Sequence, residues 1–243
     1  MGFSPSIESV QLCLDNYSRL MDDSEKVSDQ TSFALRELGL EELVKAWMLY
    51  FAYFTNTIKP KSNKGKRIRE HINKSGINME DSNFIDALQS QQTSNNNTFE
   101  SVLQNLKTPN IDKAFRLHKV KLIYLGYILQ NLELILNLFK NTKYKPNYTN
   151  YINIIGKYLS LTEPNQITKQ EKIDEILEII KEFDVNKMEE LQKKKEEAFY
   201  TYLSKDNKIV VPKTRIFDNE GIKKLNNLLY GGLIAAINML IDV

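Results

Sequence analysis

Apolar residues recur at three- and four-residue steps through most of the chain, the period of helices with one buried face. Ile7, Val10, Leu14, Tyr17 and Met21 mark a first helix, with Ser4 placed to cap it and Pro5 suited to its first position. The pattern predicts a second helix from near Ser28 to Thr31 as far as about Thr55. Its C-terminal half is apolar on almost every side, which puts it at the centre of a bundle. A short helix is expected from Asp81 to Gln89, and a short amphipathic piece from Thr98 to near Leu106. Thr108-Pro109 opens the longest helix, along which Ile111, Ala114, Phe115, Leu122, Leu125, Leu129, Leu132 and Leu136 form a stripe. Later helices are predicted to end near Leu161, to run from Lys169 to Phe183, to run from Met188 to about Leu203, and to follow a cap at Asp218 or Asn219. Only Ile209-Val210-Val211-Pro212 reads as a strand.

The connections are polar: a basic stretch from Lys59 to Lys74, a Gln/Ser/Asn tract from Ser90 to Asn97, and Asn141 to Asn150. No internal repeat or compositional break divides the chain. The expected fold is a single all-α domain spanning residues 1–243, with about seven to nine helices and one short extended segment near 209–212.

Composition narrows the chemistry. The 243 residues are 42% hydrophobic, enough for a core, and Gly 9 with Pro 6 disfavours turn-rich sandwiches and Gly-rich nucleotide loops. One cysteine, Cys13, excludes an intrachain disulfide and fits a reducing, cytoplasmic setting. Inside the first helix it reads as a small core or boundary residue, not a nucleophile. With only His71 and His118, a multi-histidine metal centre is not expected, and neither is a cofactor. Leu43 to Phe54 is about 12 residues and carries Lys45, short of the roughly 20 that a bilayer requires. The run from Leu228 to Val243 is broken by Gly231-Gly232, Asn238 and Asp242, so no membrane contact is expected. The N-terminus has neither the basic region nor the apolar stretch of a secretory signal.

Helical wheels single out a few polar residues. At about 100° per residue, Glu42 falls in the arc of Leu35, Leu38, Ala46, Leu49 and Tyr53, with Lys45 near its edge. On the long helix His118 sits at the centre of the apolar stripe and Lys121 at its margin. Buried polar groups take partners, so Glu42 and His118 are expected to face each other with Lys45 and Lys121 nearby. Such a cluster is either a catalytic or ligand site or a satisfied network that fixes helix register. Glu37, Glu41 and Lys45, at four-residue steps, read as a solvated helix face.

Charge is distributed unevenly although the net is only +2. Lys59, Lys61, Lys64, Lys66, Arg67, Arg69 and Lys74 stand against Glu70 alone, 7 − 1 = +6, beside a net acidic N-terminal region. A basic segment of this kind neutralises phosphates without reading sequence, so RNA is a candidate partner through residues 59–74, with Lys64, Lys66, Arg67 and Arg69 as its centre.

Three segments in order resemble the AbiV family of abortive-infection proteins, prokaryotic anti-phage factors. Ala34 to Ala46, with Glu41-Glu42-Leu43-Val44-Lys45, resembles the family's alanine-rich helix running into Glu-Glu-Leu-Gly-Lys. Phe115 to Leu122 is similar to its His-Lys-x-Lys segment. Glu197-Ala198-Phe199-Tyr200, followed by Val211-Pro212, resembles its Ala-Leu-Tyr-Val-Asp region. Val44 replaces the glycine, and Tyr202 stands where an aspartate is common.

The resemblance implies an anti-phage helical module acting on a phage or host protein, with Glu41, Glu42, Lys45, His118, Lys119, Lys121 and Tyr200 as family positions. A symmetric homodimer is compatible with that type of protein. AbiV also looks distantly like the HEPN superfamily of helical bundles, which implies the alternative of a metal-independent ribonuclease or RNA-binding protein. In that alternative His118 is the general acid or base, Glu42 orients it and Lys121 holds phosphate. The HEPN Arg-x4–6-His motif is absent here, since Arg67, Arg69 and Arg116 all stand too close to a histidine.

Overall fold

Ser6, in extended backbone, accepts the backbone N–H of Ser9 on its hydroxyl at 3.3 Å, and α1 (Ile7–Ser24) starts there. The cap is therefore Ser6, while Ser4 and Pro5 lie outside the described residues. The structure is a computed structural model that describes residues 6–57, 112–141, 146–161, 168–183, 187, 190–191, 194, 202–203, 209–210 and 218–241.

A four-residue turn leads from α1 into α2 (Asp29–Thr57), and the two helices pack along each other. Gly39 marks a close approach between them. A Cβ there would run into the terminal methyl of Met21, with the Tyr17 ring at 3.3 Å. Then come α3 (Asp112–Asn141), which packs on α2, and α4 (Pro146–Tyr158), which begins on the proline suited to a first helical position. Ser160, at φ 55°, closes α4 by turning the Leu161 N–H back onto the Gly156 carbonyl at 2.9 Å. A reciprocal capping box between Thr168 and Glu171 starts α5 (Lys169–Glu182), which rests on α3 and α4. Asp218 accepts the Gly221 N–H at 2.8 Å and so caps α6 (Asn219–Ile241).

The chain is all-α in architecture, as the periodicity implies, with six helices among the described residues. The helix expected at Asp81 to Gln89, the piece at Thr98 to Leu106 and the opening at Thr108-Pro109 lie outside them. Residues 187, 190–191 and 194 are helical, but the helix expected to reach Leu203 does not. Tyr202–Leu203 instead forms β1, antiparallel to β2 (Ile209–Val210), with Tyr202 opposite Val210 and Leu203 opposite Ile209. Aromatic and β-branched residues fit that pleated pairing better than a helix end. No helix among the described residues is long and apolar enough to cross a membrane.

The core lies where α2, α3, α4 and α6 converge, around Leu43, Trp47, Leu132, Ile155, Leu228 and Leu233. The Gly231-Gly232 pair of α6 allows that convergence. A Cβ on Gly231 would press on the Ile155 backbone at 3.2 Å, and one on Gly232 would meet Leu132 at 2.9 Å and Trp47 at 3.3 Å. Gly156 is different, because its nearest neighbours stand at ordinary contact, 3.9 Å and beyond. Thermal melts should separate the two cases. Gly231→Ala is expected to destabilise by about 1–3 kcal/mol through overpacking against backbone. Gly156→Ala should stabilise by about 0.5–1 kcal/mol, because only helix entropy changes. Equal melting temperatures for both variants would refute this account of the α4–α6 contact.

Candidate functional site

The segment that carries the Glu-Glu-x-x-Lys pattern lies in the middle of α2, so the rotation of that helix decides what each side chain can do. The inward arc expected from the wheel is only partly the buried one. Ala46 is buried, but Leu35, Leu38, Glu42, Leu49 and Tyr53 are half-buried. Buried with Ala46 are Phe33, Ala34, Arg36, Glu37, Leu40, Leu43, Val44, Trp47 and Tyr50. Between Ser32 and Phe54, Lys45 is the one exposed side chain among the described residues. A helix covered on nearly all sides has no single apolar face, which is why the wheel misjudged its direction. Glu37 corrects the sequence reading outright. It is 1% exposed, not part of a solvated face.

Glu42 stands at the edge of the core, with a side chain 17% exposed, and accepts a hydrogen bond from Lys45 Nζ at 2.6 Å. The Lys45 side chain is 57% exposed, so the pair presents its cation outward. Glu41, one residue back, is half-buried. Cys13 of α1 lies within electrostatic range of this pair. Its thiol is pushed up from its ordinary range chiefly by partial burial and next by the Glu42 carboxylate, while Lys45 pulls the other way. Half-buried in α1, Cys13 occupies a boundary position.

A second polar group, missed by sequence reading, is centred on Arg36. Its guanidinium, 7% exposed, donates to Glu25 at 2.8 Å, to the Asn219 carbonyl at 2.8 Å and to Ser24 at 3.3 Å. Lys223 of α6 reaches the same Glu25 carboxylate at 3.3 Å, and Asn219 Nδ2 donates to the Asp29 carbonyl at 3.1 Å. Hydrogen bonding and charge from Lys223, then Arg36, hold the Glu25 carboxyl below the usual range. Fully buried Asn226 donates to the Arg36 carbonyl at 2.9 Å. The one sequence signal for Arg36 is its spacing, three residues after Phe33 and four before Leu40 on a single stripe.

Thus the structure sets Glu41, Glu42 and Lys45 on one helix, with Cys13 of α1 within electrostatic range of the Glu42–Lys45 pair. His118, Lys119 and Lys121 belong to the backbone of α3, but their side chains lie outside the described residues, and so does the expected Glu42–His118 pairing. Tyr200, Lys64, Lys66, Arg67 and Arg69 also lie outside them. Among the described residues no three His, Cys, Asp or Glu side chains are grouped to hold a metal ion. No protein-family model, characterised protein or solved structure matches the chain.

Proposed function

We propose that the chain is an anti-phage defence protein of AbiV type, cytoplasmic, which works as a helical interaction module on a phage or host protein. The observation that carries this reading is the order of the three AbiV-like segments along the chain. The half-buried Glu41 and Glu42 and the exposed Lys45 in the first segment are compatible with a contact face on α2. A plaque assay in a host expressing the gene tests it. Reduced plating of at least one phage in a broad panel is expected, and unchanged plating across the whole panel would refute it.

A second reading rests on the +6 segment from Lys59 to Lys74. In it the protein binds RNA, or cleaves it without metal using His118, as the likeness to HEPN proteins implies. Purified protein incubated with total RNA, with and without EDTA and beside His118→Ala, decides the point. Cleavage that survives EDTA and disappears in the variant supports the enzyme, and equal RNA profiles in all lanes exclude it.

A further inference from the structure

The covering of α2 on nearly all sides raises a question of register. Burial of apolar side chains alone discriminates weakly between rotations of such a helix, and the packing feature tied to one register is Gly39, where a Cβ would run into Met21. Four hydrogen bonds run between α2 and α6 in parallel order along both helices. Arg36 donates to the Asn219 carbonyl at 2.8 Å, and Asn226 donates to the Arg36 carbonyl at 2.9 Å. Further along, Trp47 Nε1 donates to the Leu229 carbonyl at 3.0 Å and the Tyr50 hydroxyl to the Ala236 carbonyl at 3.0 Å. Arg36, Trp47, Tyr50 and Asn226 are all buried.

We infer that this four-rung ladder, not the distribution of apolar residues, fixes the rotation and axial register of α2 in the bundle. Each rung joins a side chain to a backbone carbonyl, so it depends on helix position and not just on proximity. A slip of one turn moves α2 by about 5.4 Å and breaks all four rungs together. Their donors are then stranded in the interior, where unpartnered polar groups are costly. Apolar contacts change less, since Leu, Phe and Tyr recur around α2, apart from the close approaches at Gly39 and at Trp47 against Gly232. The lock also determines where the helix presents Glu42 and Lys45, which lie between the Arg36 and Trp47 rungs, whatever partner they meet.

The sole tryptophan provides the readout, since its indole N–H is itself a rung. In 15N-labelled protein it should give one sharp cross-peak that exchanges slowly with solvent. The variant R36M/Y50F/N226L removes the other three rungs while roughly keeping side-chain volume. Its expected behaviour is retained helical circular dichroism with an indole signal that splits or broadens and exchanges at least about tenfold faster, the factor carried by one lost hydrogen bond. A core change away from the ladder, Ile176→Ala, should leave one sharp indole peak at a comparable loss of stability. If the triple variant keeps a single sharp and fully protected indole peak, register is set by packing and the lock is refuted. Should that variant lose its helical signal, Tyr50→Phe alone decides. An about tenfold faster indole exchange at unchanged helicity supports the lock, and unchanged exchange overturns it.

Discussion

Arg36→Ala should lower the melting temperature by roughly 6–12 °C, the equivalent of about 3 kcal/mol in a chain of this size. Two losses add. The guanidinium supplies charge-assisted bonds to Glu25 and to the Asn219 carbonyl, both 2.8 Å, and such bonds contribute about 1.5–3 kcal/mol each to a well-formed site. Because the Glu25 side chain is 58% exposed, water compensates much of its share, and the Asn219 bond carries more of the effect. Truncation to a methyl also leaves a void beside the α1–α2 corner, where Ser24 and Asn219 lose a neighbour.

Arg36→Met separates these causes. It keeps most of the volume and removes the buried charge together with its desolvation cost, so it should lose only about 1 kcal/mol. Chemical denaturation of both variants measures the difference, and equal losses would show that the guanidinium's polar bonds, not its volume, account for the site. The pH dependence has a definite sign. Glu25 is depressed in the folded state, so its contribution is present above the ordinary carboxylate range and fades as pH falls through the lowered value. Glu25→Gln should flatten that acid limb of the stability curve while leaving the alkaline side unchanged.

The sequence was most readable where one face of a helix is buried and the other is wet. The stripes of α1 and α5 appear in the structure with Val10, Leu14 and Tyr17, and with Ile173, Ile176 and Ile180, turned inward as the three- and four-residue spacing requires. Caps were legible where a hydroxyl or carboxylate stands directly before such a stripe, as at Asp218, and slipped by two residues at Ser6 because Ser4 has the same chemistry. In α2 the pattern is uninformative for a physical reason. An apolar periphery leaves no contrast from which to draw a face, so Glu42 was turned too far inward and Glu37 too far outward. Arg36 and Asn226 escaped notice because their partners are 183 and 190 residues distant, on a helix whose register no local pattern encodes. Tyr202–Leu203 was read as helix because a two-residue ladder depends on a partner strand and not on periodicity.

Within the proposed defence function, Glu42→Ala and Lys45→Ala should each abolish phage protection while shifting the melting temperature by only about 1–2 °C. The small structural effect follows from geometry. The two residues form an i,i+3 pair in which Glu42 is 17% exposed but its cation Lys45 is 57% exposed, so solvent replaces much of the pairing and the loss stays at about 0.5–1 kcal/mol. Neither residue takes part in the Arg36 group or in the bonds to α6. If α2 meets its partner through this pair, loss of either residue removes a recognition contact, and central contacts of interfaces commonly cost 2 kcal/mol or more, about 30-fold in affinity. Protection that persists in both alanine variants would sink this use of the pair. The exchange Glu42→Lys/Lys45→Glu discriminates further. It keeps a salt bridge of the same spacing, so the melting temperature should stay near that of the parent. A partner that reads the charges, however, meets the opposite sign at both positions, and like-charge contacts are repelled. The exchanged protein should therefore fold like the parent and fail in the plaque assay. Restored protection in the exchange variant would mean that the pair acts only within α2, and the contact face would have to be sought elsewhere on the bundle.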